Sequence, residues 1–209
     1  MNVVISVGGK FHAFYLAQQL QKKQYLSQLI TSYPKFEVIK SGIDTSLVTS
    51  LITKEILQRG YVKLPKVLRK KFDMQYEICE IYDLSAALRL KKCDLFIGWS
   101  GFSLHSLKKA KSNGAITILE RGSSHIEFQR DILKEEYEMH GIQGDLPHPK
   151  LVEKELLEYE CADFISVPSL YVKNTFLAKG FPNHKLLHVP YGVELSQFKP
   201  VVKEDNVFR

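Results

Sequence analysis

The chain has 209 residues, of which 44% are hydrophobic and 25% are charged, an ordinary composition for a soluble globular domain with a sizeable core. No run of about 18 apolar residues occurs and the start lacks the pattern of a signal peptide, which argues against a membrane-spanning helix and a secretory leader. The formal net charge of +6 favours an anionic partner, either a phosphate-bearing substrate or a membrane surface, unless it serves solubility alone.

Short apolar runs alternate along the chain with segments of helical period. We predict six strands, at residues 3–7, 27–31, 94–98, 115–119, 164–167 and 186–189. Helices are predicted over 11–23 and 126–139, and the stretch 35–90 is expected to be mostly helical. Strands separated by helices are typical of βαβ units. The pattern therefore predicts an α/β fold, a Rossmann-like parallel sheet with helices on both faces.

The turn after the first strand carries Gly8 and Gly9, followed by His12. Parallel sheets bind ligands at the carboxyl ends of their strands, and glycines let a ligand approach the backbone closely. We therefore expect this turn to face a ligand, although it is not a G-x-G-x-x-G nucleotide fingerprint. His12 either contacts a substrate or only caps a helical turn.

A polar cluster follows the fourth predicted strand, at Glu120, Arg121, Ser123, Ser124 and His125. Arginine offers a planar fork for phosphate or carboxylate, and histidine can share a proton or orient a hydroxyl. The two serines can donate hydrogen bonds to a substrate or cap the helix that follows. The alternative is a purely structural one, a capped helix with an ion pair between Glu120 and Arg121.

Trp99 and Ser100 follow the third predicted strand, where a substrate would pass. Trp99 is the one tryptophan of the sequence. It either stacks on a sugar or acyl group or packs in the core. Both residues are candidates for acceptor binding.

A basic stretch at residues 63–72 includes Lys66, Arg69, Lys70 and Lys71 among apolar residues. Such a segment can lie on an anionic membrane, where each basic residue contributes about 1 kcal/mol. It can equally be a solvated helix face. No nucleic-acid-binding motif accompanies the charge, so nucleic acid is not an expected partner.

The last quarter of the chain carries an ordered set of short motifs. In order, these are Glu155, Ala162-Asp163, residues 164–169, Lys179-Gly180, residues 189–194 and Phe198-Lys199-Pro200. As a set they resemble glycosyltransferase family 4, with Tyr191 in place of the usual Asn and Glu194 in place of the usual Asp. The resemblance implies the N-terminal half of a GT-B fold: residues 1–200 as the acceptor-binding domain, and 201–209 as a linker into a missing C-terminal donor-binding domain.

The resemblance also implies an activity and several roles. Such enzymes move a sugar from a nucleotide-diphosphate donor to an acceptor hydroxyl with retained configuration, and need no metal or cofactor. Gly8 and Gly9 match the loop that approaches the donor diphosphate and the acceptor. A histidine of the family often lies close to the reacting sugar; here Glu120 and Arg121 stand in its place, with His125 shortly after, so all three are catalytic candidates. The acceptor is a glycan, a lipid or a small molecule.

Most of the donor site of such an enzyme belongs to the second domain, so the chain alone is expected to be inactive and to bind nucleotide sugar weakly. One alternative is a non-catalytic module that binds an acceptor, a membrane or a partner. Another is a nicotinamide-dependent oxidoreductase, but neither its G-x-G-x-x-G turn nor its acidic residue after the second strand is evident. Three cysteines without metal-ligand spacing favour a cytoplasmic protein with reduced thiols, with peripheral contact at the inner membrane face as an extension.

Overall fold

The computed structural model describes residues 1–193 and residue 195. Within these residues, seven parallel strands form one sheet in the order β3-β2-β1-β4-β5-β6-β7. The strands are β1 (Val3–Val7), β2 (Leu26–Thr31), β3 (Val48–Ser50), β4 (Leu95–Trp99), β5 (Ile116–Glu120), β6 (Phe164–Val167) and β7 (Leu186–His188). The predicted Rossmann-like α/β fold is confirmed.

Helices connect the strands and cover the sheet. They are α1 (Ala13–Lys22), α2 (Lys35–Val38), α3 (Thr53–Val62), α4 (Lys66–Lys71), α5 (Gln75–Arg89), α6 (Leu104–Ser112), α7 (Ile126–Met139), α8 (Pro149–Cys161) and α9 (Leu170–Ala178). Short 3-10 turns stand at Ile39–Ser41, Thr45–Leu47 and Asn183–Lys185. Among the described helices, none is both long and apolar enough to cross a bilayer.

One strand was missing from the sequence prediction. The stretch 35–90 is mostly helical as expected, but it also contains β3, which pairs in parallel with β2 through Val48 and Leu29. This strand has three residues and only Val48 is buried, so it leaves no apolar run in the sequence. All six predicted strands are present, and the sheet gains β3 at its edge.

The core lies on both faces of the sheet. All residues of β1 are buried, and successive side chains of a strand point to opposite faces. Ile5 accordingly clusters with Phe14 of α1, whereas Val4 clusters with Tyr82 of α5 and Leu107 of α6. Burial on both faces explains why the strands read as continuous apolar runs rather than as alternating ones.

The strand order places a ligand crevice between β1 and β4. The chain runs outward from β1 to β2 and β3, then crosses back to β4 on the other side of β1. The loops after β1 and β4 therefore leave the same edge of the sheet in opposite directions, which is the usual position of ligands in open α/β sheets.

Part of the segment that carries the family resemblance is outside this description. Glu194, the run Phe198-Lys199-Pro200 and the predicted linker at 201–209 all lie outside the described residues. Asp163 of the Ala162-Asp163 motif accepts hydrogen bonds from the main-chain N–H and the hydroxyl of Thr117 and from Lys111. Its role in the structure is to hold the start of β6 against β5.

Candidate functional site

A cleft of about 330 Å³ opens at the carboxyl ends of β1, β4 and β5. We call it the His12 cleft; its lining residues are Phe11, His12, Trp99, Ser100, Phe102, Glu120, Arg121, Gly122, Ser123 and Tyr191. The volume is in the range of small-ligand sites, about 300–1,000 Å³. The cleft brings together six of the residues predicted from the sequence: His12, Trp99, Ser100, Glu120, Arg121 and Ser123.

His12 stands at the centre of this cleft. Its Nε2 lies 3.4 Å from Oε2 of Glu120, and its ring lies 5.1 Å from the Trp99 ring and 4.5 Å from the Tyr191 ring, measured between centroids. Its side chain makes no capping hydrogen bond on α1. The capping role that the sequence left open for His12 is thus not the one its side chain has.

Trp99 and Glu120 meet because of strand register. The two residues are direct neighbours on β4 and β5, and neighbours in a parallel sheet present their side chains to the same face. Trp99 is buried among the residues that pack on α1, and it also lines the cleft. Of its two predicted roles, core packing is therefore present, and its contact with His12 makes it part of the cleft wall.

Arg121 is buried at the back of the cleft. Its Nη1 lies 2.8 Å from Oε2 of Glu155 on α8, and the guanidinium also donates to the carbonyl of Ser124 and the side-chain oxygen of Gln129. The ion pair between Glu120 and Arg121, which was the structural alternative, is not the one formed. Glu120 pairs with His12 instead, and most of the five N–H donors of Arg121 bind protein groups.

His125 lies in the core and not in the cleft. Its Nδ1 accepts a hydrogen bond from the Glu127 N–H and so caps α7, and its ring packs 5.1 Å from Tyr159 and 5.0 Å from Phe176. The residue is 3% exposed, and burial lowers the pKa of its imidazole from 6.5 to about 4. A neutral, buried imidazole fits a structural cap, so the structure places this catalytic candidate away from the cleft lining.

The two serines of this cluster have different positions. The cap predicted for Ser123 or Ser124 is instead His125, because the helix begins one residue later than a serine cap would require. The carbonyl oxygen of Ser124 accepts hydrogen bonds from the guanidinium of Arg121. Ser123 is exposed at the lip of the cleft, and its hydroxyl donates to the side-chain oxygen of Gln129 at 3.3 Å.

Ser100 is held from behind by a carboxylate that the sequence did not single out for this role. Oε2 of Glu155 accepts hydrogen bonds from the Ser100 hydroxyl at 2.7 Å and from the Tyr159 hydroxyl at 2.9 Å, in addition to its pair with Arg121. Three donors on one buried oxygen make Glu155 a fixed point for two loops of the cleft. In the sequence, Glu155 was noted only as part of the family motif, and that motif assigned it no role.

A second buried carboxyl group supports the same loop. Glu158 is fully buried and accepts from the N–H of Gly101 at 2.6 Å and of Ser103 at 2.8 Å. Burial first, and then the nearby Glu155, raise the pKa of Glu158 to about 8. The loop between β4 and α6 is therefore pinned to α8 by Glu158.

Gly8 and Gly9 line a second cavity next to the cleft, which we call the α3 groove. Its volume is about 730 Å³, and Phe11 and Phe102 separate it from the His12 cleft because they line both. A Cβ at Gly8 would lie 2.5 Å from the Phe102 ring, and one at Gly9 would lie 2.8 Å from the Phe11 ring. The two glycines are thus required for the close packing of these aromatic walls.

Tyr191 is a site residue that sequence reasoning noted only as a departure from the family motif. Its ring packs against the His12 ring at an angle of 44°, and a Cβ at Gly122 would lie 2.5 Å from its hydroxyl. Its position after the last strand, at the carboxyl edge of the sheet, was the signal that could have identified it.

The basic stretch forms the short helix α4. The side chains of Lys66, Lys70 and Lys71 are not described, and Arg69 is half-buried, with its Nε buried and without a hydrogen-bond partner among the described residues. Val67 is 78% exposed. Exposed apolar side chains on a basic helix are compatible with a membrane surface, so this role stays a prediction.

A possible cation site elsewhere is filled by a lysine. Carboxylates of Glu80 and Asp83 and the ring of His105 converge within 4.8 Å. The ammonium of Lys154 lies 2.7 Å from Glu80 and 2.9 Å from Asp83. Among the described residues this group therefore forms a buried ion-pair network rather than a metal centre.

Comparison with known proteins supports the fold. No protein-family model matches the chain, and no curated protein does so either. Among solved structures, a protein from Listeria monocytogenes assigned as a UDP-N-acetylglucosamine 2-epimerase matches with a TM-score of 0.50 and 12% identity, over 89% of this chain and 44% of that one. A UGT transferase from Siraitia grosvenorii, in complex with UDP, matches with a TM-score of 0.40 and 14% identity, over 90% of this chain and 50% of that one.

These likenesses concern the fold alone, because identities this low do not carry function. The seven-stranded parallel sheet matches that of the Listeria protein. The chain spans about half the length of the two structures it matches.

Proposed function

We propose that this chain is the acceptor-side half of a retaining glycosyltransferase, which moves a sugar from a nucleotide-diphosphate donor to an acceptor hydroxyl. The observation that carries the proposal is the pair of His12 and Glu120, 3.4 Å apart, in a cleft at the point where the strand order reverses. The UDP-linked sugar named for the Listeria protein belongs to the donor class proposed here.

His12 is the residue that binds the acceptor hydroxyl in this proposal. The carboxylate of Glu120 faces Nε2, which favours the tautomer with its proton on that nitrogen and leaves Nδ1 to accept from a hydroxyl. Trp99 and Tyr191 flank the ring and restrict its orientation. A hydroxyl held in this way is positioned for attack, and positioning alone can lower a barrier substantially.

The retained anomeric configuration in this proposal is taken from the resemblance to glycosyltransferase family 4. In such a transfer the departing diphosphate is stabilised by positive groups and helix N-termini, and we assign most of those to a second, donor-binding domain. Arg121 stands at the back of the His12 cleft, where its pair with Glu155 fixes the loop that carries Ser123. No resident cofactor or metal takes part in the proposal; the nucleotide sugar is a substrate.

The test is a donor and acceptor screen on the full-length protein. Nucleotide-diphosphate sugars are incubated with mixed glycan, lipid and small-molecule acceptors, and products are identified by mass spectrometry. We expect an acceptor that gains one glycosyl unit, with the anomeric configuration of the donor by NMR. An inverted product would contradict retention, an epimerised nucleotide sugar without transfer would indicate an epimerase, and acceptor binding without turnover would indicate a non-catalytic module.

A further inference from the structure

The α3 groove is lined by more cationic than anionic side chains. Its cationic residues are Lys10, Lys54, Arg59 and Lys63, and Glu55 is the carboxylate among its described lining residues. The remaining wall is partly apolar and includes Phe11, Phe102 and Val62. A concave surface with excess positive charge concentrates anions, so the groove suits a ligand that is anionic at one end and apolar at the other.

Lys54 is the buried cation of this groove. It is 6% exposed, its Nζ lies 3.3 Å from Oε1 of Glu55, and it stands 5.4 Å from the centroid of the Phe102 ring. The same Glu55 oxygen also accepts from the Ser32 hydroxyl at 2.8 Å, and the other oxygen, Oε2, lies 3.3 Å from Nε of Arg59. An ammonium group has three donors, and burying it is costly unless they are satisfied. In the described part of the chain, Lys54 thus has one long hydrogen bond and spare donors that a ligand can use.

The groove and the His12 cleft are close enough to hold one molecule. Phe11 and Phe102 line both cavities. Phe102 is held by an edge contact with Tyr82, at 5.8 Å between ring centroids. It also packs directly against the backbone of Gly8, which has no side chain to displace it. A compound with its hydroxyl at His12 can therefore pass over the two phenyl rings and place a charged group at Lys54.

We infer that the acceptor is a hydroxyl compound that carries a phosphate monoester, which binds at Lys54 and Arg59 while its carbon body packs against Phe11 and Phe102. A dianion matches the excess of cations better than a carboxylate, because each charge-assisted hydrogen bond adds to binding. The inference rests on the proposed function, since His12 was assigned the acceptor hydroxyl there. A soluble phosphorylated compound and the phosphomonoester head group of a lipid present the same chemistry.

Binding is tested on the 209-residue chain by NMR titration with phenyl phosphate, in parallel with benzoate, benzyl alcohol and inorganic phosphate. We expect phenyl phosphate to shift the amide signals of Gly8 and Gly9 and to bind about tenfold more tightly than benzoate, since one strong charge-assisted hydrogen bond corresponds to roughly that ratio. Benzyl alcohol, which lacks the charge, is expected to bind weakest.

Two variants locate the site. Lys54→Met keeps the apolar stem and removes the charge, and we expect phenyl phosphate to bind about tenfold more weakly. Arg59→Gln changes a side chain that is largely exposed, so it preserves the fold and carries the test if Lys54→Met does not fold. The matched control is Lys92→Gln, an exposed lysine just before β4 at the opposite edge of the sheet, which should bind as the original chain does.

Equal binding of benzyl alcohol and phenyl phosphate, or binding that neither variant weakens, would overturn the inference. The titration requires no sugar donor, so its failure leaves the proposed transfer untouched. A full-length protein that binds phenyl phosphate here and transfers no sugar refutes the proposed function, and it leaves a phosphomonoester site whose ligand is not an acceptor. Sedimentation with phosphatidic acid vesicles distinguishes a lipid head group from a soluble phosphorylated compound as the natural ligand. Binding of these vesicles that Lys54→Met abolishes assigns a lipid acceptor, and binding of phenyl phosphate without vesicle binding assigns a soluble one.

Discussion

Nε2 of His12 lies 3.4 Å from Oε2 of Glu120, although the two residues stand at the ends of strands that are not neighbours. His12 comes after β1 and Glu120 ends β5, with β4 and its Trp99 between them. The pair therefore closes the cleft across the ends of three strands. It joins the turn that contains Gly8 and Gly9 to the polar cluster that begins at Glu120, two features that lie far apart in the sequence. The proposed acceptor site depends on this contact.

The isolated chain should bind nucleotide sugars weakly, because most groups that hold the diphosphate are assigned to the donor-binding domain. Calorimetric titration with a panel of nucleotide-diphosphate sugars measures this directly, with the full-length protein as the comparison. Tight binding by residues 1–209 alone would contradict the division of the site between two halves.

Protonation of His125 should destabilise the fold in acid. Burial lowers the pKa of its imidazole from 6.5 to about 4, so the unfolded chain binds a proton that the folded chain does not. The stabilising contribution is present above pH 6.5 and is lost as the pH falls towards 4. The urea midpoint of unfolding should therefore fall as the pH is lowered between these two values. It should fall less steeply for His125→Asn than for the original chain, because asparagine keeps a capping side chain but does not titrate. Parallel curves for both proteins would show that His125 does not titrate in this way.

Glu158 should make the fold less stable as the pH rises, whereas His125 makes it less stable as the pH falls. Burial and the neighbouring Glu155 raise the pKa of its carboxyl to about 8, so its contribution is full below its usual pKa of 4.5 and is lost as the pH rises through 8. Glu158→Gln keeps an oxygen that can accept from Gly101 or Ser103, and its stability should therefore depend less on pH over this range. The comparison uses thermal unfolding at several pH values, and an unchanged slope would argue that the carboxyl is ionised in the folded protein.

The strands, and with them the fold class, could be predicted because β1 and β4 are buried on both faces and, like the partly buried β5, read as apolar runs. β3 could not, since three residues with one buried side chain leave no pattern. Loops after strands were correctly expected to gather at one edge. Which side chains of these loops meet depends on strand register and on where each helix begins. His125 is an example, since it follows β5 as the other cleft residues of its cluster do, but it caps α7 from the core. Lys54 and Glu158 gave no signal because a buried charge is indistinguishable from a surface one in sequence.

The basic helix α4 should contribute to binding of anionic membranes. Replacing Lys66, Arg69, Lys70 and Lys71 by Gln should weaken sedimentation with anionic liposomes by about fivefold per charge, as each basic residue near such a surface contributes about 1 kcal/mol. A variant with Lys22, Lys23, Lys91 and Lys92 replaced by Gln removes the same charge from other exposed positions. Equal loss in both variants, or no loss in either, would remove the specific membrane role of α4.

The proposed acceptor site is tested by the rate of sugar transfer by the full-length protein after His12→Gln, compared with His140→Gln. His140 also faces a glutamate, Glu136, at 3.6 Å, but on the exposed end of α7, so it controls for loss of a histidine and its partner. We predict that kcat/KM falls about 100-fold for His12→Gln, the order of loss that follows when a reacting group is misplaced, with a smaller loss for Glu120→Gln and none for His140→Gln. Transfer that proceeds at the original rate in His12→Gln, with the fold intact, would contradict the assignment of the acceptor hydroxyl to this cleft.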